Sequence, residues 1–255
     1  MYFCCMNFKI AASLFSSFFK TIGYLFLFIV FGLFIDSNYM SSILPHNQHW
    51  ATFVMLIGFA VLYSYSASRL REQMIYAVII GYIGEYLFSL VLGMYTYRLG
   101  NVPHYVPPGH AIVLIATMYF CKEAIVKTYR KLIEKMFTIF ILIYATSFLI
   151  FAGDVFGFVM SLMVIFLLRN KPRERLFYLS MYVVVAFVEI VGTNYQCWYW
   201  PETAWDVIPF LKSSNPPSGI SLFYFLLDLG SLWLYKQRHK IAWNRMKNIR
   251  KIQES

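Results

Sequence analysis

The amino-acid sequence predicts an all-α fold, a polytopic membrane protein built as a bundle of about eight transmembrane helices. Three observations carry that expectation. Of 255 residues, 60% are hydrophobic and 13% charged, against about a quarter charged in ordinary soluble domains, so lipid must solvate part of the apolar surface. Eight stretches are long and apolar enough to cross a bilayer, at roughly 21–35, 50–67, 73–93, 108–121, 136–152, 155–168, 177–198 and 219–235. All but two of the 22 Lys and Arg residues fall on one side of that threading.

Each span is flanked accordingly. Lys9 and Lys20 precede the first, and Arg69 and Arg71 join the second to the third. Lys122, Lys127, Arg130, Lys131 and Lys135 join the fourth to the fifth, and Arg169, Lys171, Arg173 and Arg175 the sixth to the seventh. Seven more cations follow the eighth, whereas the intervening loops hold only Arg98 and Lys212. Cytoplasmic loops accumulate Lys and Arg, which places both termini in the cytoplasm. The loop-poor architecture and clean charge bias suit a bacterial inner membrane.

The formal net charge of +10 is topogenic on this reading. The cations face anionic headgroups on the cytoplasmic side, and nucleic acid is not an expected partner. Cys4, Cys5 and Cys121 fall on the reducing side and Cys197 alone lies near the outer surface, so no intrachain disulfide is expected there. The first 35 residues read as an uncleaved signal anchor, because Asp36-Ser37-Asn38-Tyr39 is a poor cleavage site. Met6, before Asn7-Phe8-Lys9, is an alternative start to Met1. Two basic segments, 122–136 and the tail 236–255, space apolar residues at helical intervals and are expected along the inner headgroup layer. With no linker or soluble insertion, residues 1–255 form a single membrane domain.

Within it, Glu85 to His110 and Glu189 to Gly219 run in parallel. Each opens with a glutamate inside a span and passes through an aromatic exit and a Pro-containing loop. Each then reaches a double-proline step, Pro107-Pro108-Gly109 or Pro216-Pro217-Ser218-Gly219. Four spans separate the corresponding helices, so half-repeats 1–121 and 122–235 would share one orientation, a parallel 4+4 repeat. A mid-span Glu followed by Gly and an aromatic exit is similar to polytopic enzymes of carotenoid biosynthesis. That likeness covers too few residues to carry an activity over.

The chemistry-bearing residues follow from cost. Glu85, Glu189 and Asp228 sit inside spans, and a carboxylate at a helix centre costs about 2.5–3.5 kcal/mol on insertion scales. No Lys or Arg lies at that depth. The three must therefore be protonated, hydrogen-bonded to Tyr, Ser or Asn, exposed to a water-filled cavity or bound to a cation. They are the candidate catalytic or proton-carrying groups; the alternative is a protonated carboxyl hydrogen-bonded across a helix interface. The outer loops add Arg98 for a headgroup phosphate or carboxylate, with Asn101, His104 and His110 beside it. Pro107-Pro108-Gly109 is expected to halt the chain and start a helix at His110, its free N–H groups facing an anion. Asn215 or Ser218 should cap the eighth span. Tyr195, Trp198 and Trp200 form the densest aromatic patch, read either as an interfacial belt or as a cradle for a lipid or isoprenoid ligand.

Glu85, His104, His110, Glu189 and Asp228 are metal-ligand types without metal-site spacing, and no metal is expected. No nucleotide or cofactor motif occurs, so a cofactor is not specified. A polar cavity is expected in the outer half, and three functions remain open for it: an intramembrane enzyme acting on a lipidic or isoprenoid substrate with Glu85 and Glu189 for acid–base work, a small proton- or cation-coupled transporter, and a non-catalytic subunit docking a partner through its outer loops.

Overall fold

In the computed structural model the chain is 74% helical. The structure describes residues 18–254 together with Ser13, Phe15 and Ser16. Lys9, Cys4, Cys5, Met1 and Met6 lie outside the described residues. The helices are α1 (Tyr24–Ile35), entered through a π-helical turn at Phe19–Gly23; the short α2 (Asn38–Ser41); α3 (Asn47–Tyr65); and α4 (Ser68–Glu85), continued by a π-helical segment at Tyr86–Val91. Then come α5 (Val106–Lys122), α6 (Ala124–Thr128), α7 (Arg130–Ala152), α8 (Val155–Leu168), α9 (Arg175–Asn194), α10 (Ser221–Arg238) and α11 (Lys240–Glu254). Four short strands lie between helices: β1 (Thr96–Tyr97), β2 (Trp198–Tyr199), β3 (Thr203–Ala204) and β4 (Ile208–Lys212).

Among the described residues, four stretches are long and apolar enough to cross a membrane, Tyr24–Ser41, Ser68–Val91, Arg130–Ala152 and Arg175–Asn194, and Val155–Leu168 is a shorter apolar helix. That make-up is compatible with a multi-pass membrane protein. Large apolar side chains such as Leu27, Phe53, Ile83, Ile143 and Phe166 point outward, as a lipid-solvated surface requires.

The core lies where α4, α5, α9 and α10 meet. Glycines on α4 permit the close approach, and a Cβ at Gly84 would fall 2.3 Å from Leu227 Cδ2 on α10. β1 and β2 pair antiparallel, Thr96 opposite Tyr199 and Tyr97 opposite Trp198. Arg98 N–H extends the ladder by donating to Cys197 O at 2.9 Å. β3 and β4 form an outer hairpin.

Three local expectations are corrected. The helix after the double proline begins at Val106, not His110, because Pro107 and Pro108 occupy its first turn, where a missing N–H costs nothing. The Gly109 N–H donates to Tyr105 O, so it does not face an anion. The basic stretch 122–136 is not one surface helix. It breaks at Tyr129, and residues from Arg130 onward open the 23-residue α7. Arg130 is held there by Glu134 and by the carbonyls of Pro172 and Arg173. Finally, α10 carries no side-chain cap. Asn215 Oδ1 accepts instead from Trp200 N–H at 3.0 Å, and Ser218 N–H donates to Asp154 Oδ2 at 2.7 Å.

Candidate functional site, a pair of caged glutamates

Glu85 ends the α-helical part of α4 and is buried. The chain then leaves through the π-helical turn and enters β1. In extended chain, alternate residues share a face, so Tyr95 and Tyr97 both reach back. Their hydroxyls donate to Glu85 Oε2 at 2.5 and 2.6 Å. On α5, His110 Nε2 lies 2.7 Å from Oε1. Burial and the adjacent Glu85 carboxylate push both phenols well above the usual tyrosine value of 10.0, so they remain O–H donors.

Glu189 on α9 is caged in the same manner. The indole N–H groups of Trp198 and Trp200, again alternate residues at a strand, donate to Oε2 at 2.8 and 3.0 Å. The Tyr224 hydroxyl on α10 donates to Oε1 at 2.9 Å. Each carboxylate thus accepts from two strand aromatics and meets one side chain of the following helix. Hydrogen bonding of this kind is what makes a buried carboxylate tolerable.

The two cages touch. The rings of Tyr95 and Trp200 lie 4.6 Å apart between centroids, those of His110 and Tyr224 4.8 Å, and those of Tyr97 and Trp198 6.1 Å. Both glutamates and His110 line one cavity, whose remaining wall is mostly apolar, with Leu25, Phe28, Ile29, Met55, Val113 and Phe223 contributing. The cavity is about 860 Å³, part of it open to the surroundings. This slot is mostly apolar, not the polar cavity expected from the sequence, because the phenols and indoles that hold the two carboxylates turn apolar rings toward it.

The other expected site residues lie elsewhere. Arg98 pairs with buried Asp36 at 2.8 Å and donates to Asn47 Oδ1 at 2.9 Å. Tyr105 donates to the other Asp36 oxygen at 2.7 Å. Arg98 therefore ties the loop before α5 to the end of α1 and does not line the slot. Asn101 donates to Gln48, exposed His104 stands 6.5 Å from the Tyr82 ring, and Tyr195 packs on Phe34. Ser218 Oγ and Asp228 Oδ2 are buried with no hydrogen-bond partner among the described residues. Asp228 lies one turn beyond Tyr224 on α10, outside the slot lining. No group of three or more metal-ligand side chains occurs among the described residues.

Tyr224, Asp36, Asp154 and Asn47 were not expected to matter. The caging tyrosines were legible in one respect only: the alternations Tyr95-Thr96-Tyr97 and Trp198-Tyr199-Trp200 follow their glutamates at nearly equal distance.

Compared with known proteins, the chain matches no family model, no curated protein and no solved structure.

Proposed function

We propose that this chain is an intramembrane enzyme acting on a lipidic or isoprenoid substrate by acid–base chemistry, with Glu85 and Glu189 as the pair. The observation that carries the proposal is a mostly apolar slot lined by two buried glutamates, one of them bonded to His110. A hydrocarbon chain matches the slot's walls. A carboxyl pair can protonate one end of a C=C bond and take a proton from the carbon beyond its other end, so that the double bond shifts one position with no net gain or loss of protons. His110 would hold or return the proton on Glu85, while the phenols and indoles fix both carboxylates.

In this proposal the chain has eight spans with both termini in the cytoplasm, as in a bacterial inner membrane, and its halves are a parallel 4+4 repeat. The cages support the repeat. Matching Tyr95 to Trp198 and Tyr97 to Trp200 puts Thr96 on Tyr199, the pair that faces itself across the β1–β2 ladder. That is the self-complementary pairing a two-fold axis requires.

The test is solvent deuterium. Lipid that co-purifies with the protein is identified by mass spectrometry, then incubated in D2O with the wild type and with Glu85→Gln and Glu189→Gln. The wild type should place deuterium on carbon, and each Gln variant should slow this by about 10²–10⁴-fold while remaining inserted. If the wild type exchanges no carbon-bound hydrogen, the enzyme reading fails.

A second reading, a proton-coupled transporter, is favoured by one stripe on α10. Tyr224, Asp228, Ser231, Tyr235 and His239 recur at helical spacing and run about 22 Å. They lead from the Glu189 cage to the pair formed by His239 and Glu72 at 2.7 Å.

A further inference from the structure

A second groove lies between α7, α8 and α9. Thr138, Leu162, Ile165, Phe166 and Leu179 line it, and two arginines, Arg169 and Arg175, complete it. Its volume is about 740 Å³, part of it open to the surroundings. Its α8 wall is open to the surroundings, Leu162 being 43% and Phe166 69% exposed.

We infer that this groove binds one anionic phospholipid, an acyl chain along the apolar walls and the phosphate at Arg169 and Arg175. The two arginines sit where α8 ends and α9 begins, which the charge bias assigns to the inner headgroup level. Arg175 is already positioned: its Nε–H donates to Leu168 O at 3.1 Å and a terminal N–H reaches Arg169 O. A guanidinium has five N–H donors, so the anchored group keeps others for a phosphate. Arg169 is exposed with its guanidinium 5.6 Å over the Phe166 ring. Lys171 and Arg173 follow in the same connection, where the lone acid is Glu174. Basic pockets between spans on the cytoplasmic side select anionic headgroups, and the hydrocarbon walls distinguish a lipid from a free anion. The inference rests on the proposed topology and is independent of the glutamate chemistry.

The full chain is purified from bilayers of equal phosphatidylglycerol and phosphatidylcholine, and retained lipid is counted by native mass spectrometry. Phosphatidylglycerol should be enriched, and Arg169→Gln should lower the enrichment about fivefold. Arg169 is preferred to Arg175 because Arg175 also ties the end of α8. Thr138→Phe, which fills the groove and leaves both arginines, should lower retention of both lipids. Inorganic phosphate should not displace the bound lipid. Equal retention of the two lipids, an unchanged Arg169→Gln, or normal retention by Thr138→Phe overturns the site. Displacement by inorganic phosphate makes it a free-anion site and also overturns the lipid. Failure of the topology itself would be read separately, by a reporter fused after Arg173.

Discussion

Gly192 stands one turn beyond Glu189 on α9, and the Trp198 ring fills the space its missing side chain leaves. A Cβ there would fall 2.0 Å from Trp198 Cη2, so Gly192→Ala must push the indole off Glu189 Oε2. We expect a loss of about 1–3 kcal/mol from overpacking, together with a change in tryptophan fluorescence as a buried indole loses its acceptor. A variant matching the wild type in melting and emission would show that Trp198 does not hold the carboxylate. At this scale the sequence disclosed which residues were costly, because a carboxylate in an apolar run stands out. It did not disclose their partners. Tyr224 lies 35 residues beyond Glu189, and nothing in local spacing singles it out from the other 19 of the 20 tyrosines. Arg98 misled for a related reason: its partner Asp36 is 62 positions away and reads in sequence as the end of the first span.

Among the elements, α10 carries the sharpest unanswered chemistry. Asp228 Oδ2 has no hydrogen-bond partner among the described residues, although it lies between the Glu189 cage and the Glu72–His239 pair. If the stripe conducts protons, Asp228→Asn should slow equilibration of an acid pulse into vesicles holding the protein by about 100-fold. A pH-sensitive dye trapped inside would report it. Equal rates in wild type and variant would assign Asp228 a packing role and remove the transporter reading. Helix positions were largely legible, since apolar runs bounded by charge mark where a helix must hide its backbone. Helix ends were less so. The double proline at 107–108 reads as a stop before His110, but proline is equally at home in a first turn, and the helix begins at Val106. The strands were invisible, because two-residue ladders have no periodicity to detect.

For the whole molecule, the charge division between loops is the strongest expectation still to be measured. Reporter fusions after Arg71, Lys131, Arg173 and Lys247 should report cytoplasm, and fusions near His46, Asn101 and Ser213 the opposite side. One well-behaved fusion at 101 or 213 reporting cytoplasm would overturn the eight-span threading. The cages also bear on how such a chain is made. Glu85 finds its partners 10, 12 and 25 residues later, and Glu189 finds its own 9, 11 and 35 residues later. Among the described residues, neither borrows a donor from the other's cage. As the chain emerges from the ribosome, each caged glutamate is therefore followed within a few dozen residues by its own escort. The first glutamate can be sheltered before the second is synthesised, whereas buried Asp36 must wait 62 and 69 residues for Arg98 and Tyr105.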